Sequence, residues 1–413
     1  MVDFCARKVW LWCILTLVSG INGTGVYAQG LENVYQSESE IDVQNEKKLF
    51  VEVDNMSFFK NNEYDTDIVR GYTLPGFRLQ AKAIYYPVEN VRLEGGFHSL
   101  WYWGSNEYPV FAYDDIPRWR EDDKKSHIHL LPYLRAQAKL SDRVTVVLGN
   151  LYGGANHRLI EPLYDPELNL TADPEAGFQV LYKTPWLDLD TWINWETFIY
   201  KKDTRQEALL GGLSARFKSA RPESRFEWYF PFQAIAHHLG GQIDVTGIPV
   251  TTMLNGAAGA GLNFHPGQGA LKKISAELDV TGFYLKHRED SWAFNQGYGI
   301  YASLSADISD FKLKSSYWQC DDFISVLGSP LFGVSSAVAD YVYFKRPRMV
   351  STGAEYTRDF GRGVMFGAEM NIFYRLESQI VDPDRGVSPF GAKVNCSIGI
   401  YLRVNPSFLI KAF

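Results

Sequence analysis

Residues able to move a proton or hold a metal are sparse in this chain. It has eight histidines, among them His98, the pair His127-x-His129 and the adjacent His237-His238. Imidazole titrates near neutral pH, so a histidine beside a hydroxyl and a carboxylate is the usual equipment for acyl transfer. No Gly-x-Ser-x-Gly elbow or other nucleophile signature accompanies them. His127-x-His129 offers two metal ligands where a zinc site takes three or four, so no metal is expected. The run Gly256–Gly261 (GAAGAG) sits in a strand pattern with no helix after it, unlike a dinucleotide loop. No cofactor and no catalytic residue follow from these patterns, and the chain reads as a non-enzyme.

The charged residues are better organised. Arg78, Lys82, Arg92, Glu94, Arg135, Lys139, Asp190, Glu196, Arg216, Arg225, Glu227, Glu277, Asp279, Lys312, Lys314, Glu355, Glu369 and Arg403 all fall on the polar side of alternating segments. Opposed charges of both signs across a water-filled interior would set up a transverse field favouring polar solutes. Incidental pairing in a solvated interior is the blander alternative. Two long connections carry further candidates. Asp114, Asp115, Arg118, Trp119 and Arg120 lie within Gly104–His127; Arg158, Glu161 and Asp165 lie within Leu151–Ala176. Either connection is expected to be able to fold inward as a constriction, and aromatic rings beside charges suit stacking on sugars.

The elements that position these residues are strands. In Arg225–His238 the residues Phe226, Trp228, Phe230, Phe232, Ala234 and Ala236 take one face, and Arg225, Glu227, Tyr229, Gln233 and His237 the other. Lys273–Tyr284 and Lys393–Val404 alternate in the same way. A period of two sustained over ten residues specifies a strand and excludes an amphipathic helix. About sixteen such segments run from Leu49 to Val404, with Gly256–Phe264 the faintest because small residues hide its alternation. Short turns such as Ser141-Asp142 and Ser309-Asp310 alternate with long polar connections along the whole length. That rhythm predicts an all-β transmembrane antiparallel barrel of about 16 strands, with short periplasmic turns and longer extracellular loops. A sheet in lipid must close on itself to pair every backbone group, and charges are tolerated only on its inner face.

Composition agrees. Aromatics reach 15% at an ordinary 46% hydrophobic content, as expected where only alternate residues meet lipid and rings gather at the interfaces. A net charge of −7 argues against a nucleic-acid partner. Residues 1–28 read as a secretory signal peptide: Arg7 and Lys8, the apolar run Val9–Val18, then Val26-Tyr27-Ala28. Residues 29–48 are polar and acidic and are expected to form a flexible periplasmic segment, with the barrel spanning 49–413. Cys320 and Cys396 are expected to stay unbridged, Cys396 facing lipid.

This layout, closing on Phe413, resembles the bacterial outer-membrane barrels of the porin-like type. The last strand departs from their pattern: Pro406 interrupts it, and Lys411 and Ser407 fall where apolar residues are usual. Phe408–Phe413 is therefore expected to be an appendage. The resemblance implies the outer membrane as location, the barrel-assembly machinery and outer-membrane lipid as partners, and trimers as the common assembly. The function expected is an outer-membrane channel for small polar solutes, sugars among them. The alternatives held open are a barrel enzyme hydrolysing lipid or peptide, and a non-conducting adhesin.

Overall fold

A computed structural model describes residues 30–65, 67–103, 126–198, 206–219, 224–241, 244–247, 249–267, 269–286, 294–336, 339 and 341–413. The leader and the Gly104–His127 candidates Asp114, Asp115, Arg118, Trp119 and Arg120 lie outside the described residues.

Alternating sequence becomes sixteen staves of one closed antiparallel wall. They are β1 (Lys48–Glu63), β2 (Tyr72–Val88), β3 (Val91–Trp103), β4 (Ser126–Ser141), β5 (Val144–Asn150), β6 (Ala176–Lys183), β7 (Leu187–Thr197) and β8 (Ala208–Lys218). β9 (Phe226–Leu239), β10 (Thr251–Phe264), β11 (Leu271–Lys286), β12 (Gln296–Ile308) and β13 (Phe311–Asp321) continue it. A short β14 (Tyr343–Lys345) precedes the staves β15 (Arg348–Gly361) and β16 (Val364–Arg375); β17 (Ser378–Asp382) and β18 (Gly386–Phe390) precede β19 (Lys393–Val404) and β20 (Ser407–Ala412).

Closure is made by β1, which pairs with β2 on one side and with the last strand on the other. That last stave is broken. Asn55–Glu63 pairs with β19, whereas Lys48–Glu52 pairs with β20. Phe408–Phe413 is thus not an appendage: after the break at Pro406 the chain rejoins the wall, because β1 would otherwise leave its lower edge unpaired in lipid. β14, β17 and β18 form a separate three-stranded sheet on the long-loop side.

The outer face is apolar. Leu130, Leu134, Leu148, Leu278, Val280, Leu304, Ile398 and Ile400 are exposed along it. Rings collect at both ends: Trp101, Trp103, Trp195 and Phe198 toward the long loops, Trp186, Phe217, Phe226, Phe311 and Phe360 toward the short turns. Two aromatic girdles around an apolar band are the outer-membrane signature, and this chain is a bacterial outer-membrane barrel.

The interior is filled. Of residues 29–48, expected as a flexible periplasmic segment, the stretch 30–36 packs inside, with Leu31 and Val34 buried and a helical turn at Glu32–Tyr35, while 37–46 is largely exposed. Leu31 and Val34 pack with Met56, Phe58, Leu100 and Tyr401. Gly367 in the wall makes room for them: a Cβ there would sit 2.6 Å from Leu31 and 3.1 Å from Val34. Nearer the long-loop side, Leu163, Tyr164 and Leu168 of the β5–β6 connection join Phe323, Ile324, Val326, Leu327 and Phe332 of the β13–β14 connection. Trp318, Tyr301 and Phe283 of the wall complete this core. Apolar groups hidden from water stabilise the plug at roughly 25 cal/mol per Å2, which a flooded lumen would forfeit.

Candidate functional site

The strand-borne candidate charges lie on the inner face, as alternation requires, and most of them are paired. Glu94 accepts from Arg135 at 3.3 Å and is ion-paired with Arg92 at 2.9 Å and Lys82 at 3.0 Å. Arg403 grips Asp54 with two bonds of 2.9 Å, and Arg78 lies 3.8 Å from the same carboxylate. Glu369 pairs with Lys60 at 3.2 Å and accepts from Tyr401. Arg216 lies over the Tyr229 ring, Glu227 accepts from Asn263, and Asp279 is buried with neither oxygen bonded. Lys139 bridges to Asp142 in the turn, and Arg225 precedes β9 in a turn.

Several of these charges hold the plug. Lys312 meets Glu32, and Glu355 accepts from the Leu31 N–H at 2.8 Å. Lys314 and the Tyr301 hydroxyl both bond Glu161 of the inward loop, at 2.7 and 2.9 Å. Burial works to raise the Glu161 carboxyl, yet the Lys314 charge and the hydrogen bonds from Lys314 and Tyr301 together hold the group below its ordinary range. Of the other loop candidates, Asp165 donates its N–H to Leu327 and Arg158 lends its carbonyl to Gln233. Leu151–Ala176 therefore folds inward, as a cross-brace.

The loop's most enclosed polar centre is built on His157, which was not among the binding candidates of Leu151–Ala176. His157 stacks on Trp192 with ring centroids 3.5 Å apart. Its Nδ1 is 2.7 Å from Asp190 and its Nε2 3.0 Å from Glu175. Burial disfavours the imidazolium, but the two carboxylates prevail and push it up to about 10. Burial likewise pushes Glu167 up, against the pull of Lys60; it accepts from Tyr72 and Asn62. Only spacing after a strand could have hinted at His157, since its partners lie 18 and 33 residues downstream.

Three histidine–carboxylate pairs involve staves or the inward loop, and exposure separates them; a fourth, His265–Glu227 at 3.9 Å, lies at a short turn with His265 45% exposed. His157 and His237 are sealed, the latter bonded to Glu196 at 3.0 Å with both side chains 4% exposed. His129 on β4 differs: its Nδ1 is 2.7 Å from Asp173, with the two side chains 23% and 31% exposed. His98, one strand over, is buried and bonded to Gln80. His238 is turned to the lipid face beside Thr252 at 2.9 Å. The side chain of His127 lies outside the described residues. A carboxylate that fixes one imidazole nitrogen directs the other at a proton, the arrangement of a general base. No cluster of metal ligands is found among the described residues.

Fold and plug together define an outer-membrane β-barrel with packed cores in its lumen and a partly exposed His129–Asp173 pair on the long-loop side. The chain belongs to the lipid A 3'-O-deacylase-type family, whose model matches residues 41–413. That match overturns the expectation of a non-enzyme, which rested on the absence of linear motifs; a site assembled from a strand and an inward loop leaves none. No curated protein matches the chain. Among solved structures it is similar to the outer membrane protein OpdK of Pseudomonas aeruginosa, at 12% identity and a TM-score of 0.45, covering 88% of this chain and 100% of that one. It is also similar to OccAB1 of Acinetobacter baumannii, at 10% identity and a TM-score of 0.45, covering 87% and 97%.

Proposed function

We propose that this barrel is an outer-membrane hydrolase that removes an ester-linked acyl chain from a glycolipid of the outer leaflet, lipid A or a close relative. Membership of the lipid A 3'-O-deacylase-type family carries the reading. The filled lumen supports it as well, since a channel for polar solutes needs a continuous wet path and two loops and a helical turn cross this one.

His129 is the base in this reading. Asp173 orients the ring through Nδ1, and Nε2 takes a proton from water as that water attacks the acyl carbonyl. The tetrahedral intermediate collapses with loss of the sugar alkoxide, which takes the proton from the imidazolium, leaving a fatty acid and an alcohol. Leu130, the next residue, is exposed to lipid, so the base stands one residue from the membrane face, within reach of an acyl ester at the rim.

The test is kinetic. His129→Gln should lower kcat by about 10²–10⁴, the usual contribution of a positioned general base, and Asp173→Asn should lower kcat with KM little changed. His237→Gln, in a sealed pair, should leave turnover near wild type. Turnover indifferent to both His129 and Asp173 would remove the dyad from the mechanism.

A further inference from the structure

Arg375, the last residue of β16, is an uncompensated buried charge. Its side chain is fully enclosed, its Nε and Nη1 meet no acceptor, and Nη2 makes only a 3.5 Å contact with the Gly333 carbonyl. The Phe344 ring covers the guanidinium at 4.2 Å. The other enclosed arginines behave differently: Arg92, Arg135 and Arg403 each meet a carboxylate within 3.3 Å. A guanidinium without a counter-charge in a dry site is strongly disfavoured, and a ring face offsets that only in part.

A second unused donor adjoins it. Phe373 pairs across β16–β19 with Asn395, so Asn395 sits two residues along the same inward face from Arg375. The Asn395 amide is fully buried, and its Nδ2 has no acceptor while its Oδ1 accepts from Asp65. Both lie on the long-loop side, beside the three-stranded sheet of β14, β17 and β18, where Phe344 and Phe390 stack edge to face at 4.8 Å. The roof over Arg375 thus includes a ring borne by a small sheet that pairs with no stave of the wall.

We propose that Arg375 and Asn395 form a binding site for a phosphate group, entered when the β14–β17–β18 sheet lifts. Guanidinium and amide donors suit an oxyanion with several oxygens, because each N–H finds its own acceptor. The phosphate can be free or can belong to a lipid headgroup. The site stands apart from the acyl-hydrolysis reading, since its readout is binding.

The test uses the whole barrel in detergent, unfolded by heat and followed by tryptophan fluorescence. In one arm inorganic phosphate replaces chloride at constant ionic strength; in the other, mixed micelles carry a phosphorylated glycolipid or its phosphate-free counterpart. Phosphate should raise the unfolding midpoint in a saturable way, and Arg375→Met should weaken apparent binding by about tenfold or more, the loss of one charge-assisted contact. Arg375→Lys, which keeps the charge, should retain a weaker response, so a poorly folding Met variant does not stall the test. Arg346→Met, an exposed arginine paired with Asp321 at 3.1 Å, should respond as wild type. Stabilisation by the phosphorylated glycolipid alone makes the ligand a headgroup. No stabilisation in either arm, or equal loss in Arg346→Met, overturns the proposal.

Discussion

Arg403→Met should release the N-terminal plug. Arg403 donates twice to Asp54, and its Nη1 donates to the carbonyls of Val34 at 3.0 Å and Gln36 at 2.7 Å. Arginine and aspartate are almost fully enclosed, at 7% and 3% side-chain exposure. Methionine keeps much of the apolar stem and deletes the charge. Breaking a buried pair by removing one partner costs about 3–5 kcal/mol, but Arg78, 3.8 Å from Asp54, takes up part of the stranded charge. The two bonds to the plug carbonyls are worth about 1.5–3 kcal/mol each as charge-assisted bonds. A net loss of about 3 kcal/mol from docking shifts the docked-to-undocked ratio by roughly 10². A cysteine at Val34, fully buried in the docked state, reports the change through maleimide labelling of the folded barrel, with the labelled peptide identified by mass. Labelling about a hundredfold faster in Arg403→Met is expected on that energy. An unchanged rate, in protein that still migrates as a folded barrel, would refute the claim that this guanidinium holds the plug.

Other consequences are as direct. The raised His157 group, with a folded value of about 10 against 6.5 for the free residue, stabilises the inward loop fully below pH 6.5. That support fades as pH rises through 10; proteolysis between 151 and 175 should accelerate there in wild type, and His157→Gln should lack the transition. Wild-type protein in a planar bilayer should give no steady current, whereas replacing 155–172 with a Gly-Ser linker should produce current steps. Cys320 and Cys396, both buried and outside any disulfide, should resist alkylation until the barrel is denatured, and neither should appear in a bridged peptide.

The wall was legible in the sequence because lipid enforces it. Each strand has one apolar face, so alternation alone set β19 to the residue, and inward charges such as Glu94 and Arg403 followed from parity. β20 was obscured by Pro406, and by Lys411 and Ser407 sitting where apolar residues were expected. The plug was hidden for a different reason. A polar segment such as 29–48 reads as solvated unless its partners are known, and Asp54, Glu355 and Arg403 are distant in sequence. One signal was available: Phe323, Ile324, Val326, Leu327, Leu331 and Phe332 make the β13–β14 connection too apolar to stand in water. His129 was singled out with no partner in view, since Asp173 is 44 residues away.

The central claim is tested most directly by incubating purified, refolded barrel with lipid A in mixed micelles and weighing the products by mass spectrometry. The account predicts loss of one ester-linked acyl chain, with a matching free fatty acid, and neither product from His129→Gln. Lipid A recovered intact from folded wild-type protein would contradict it.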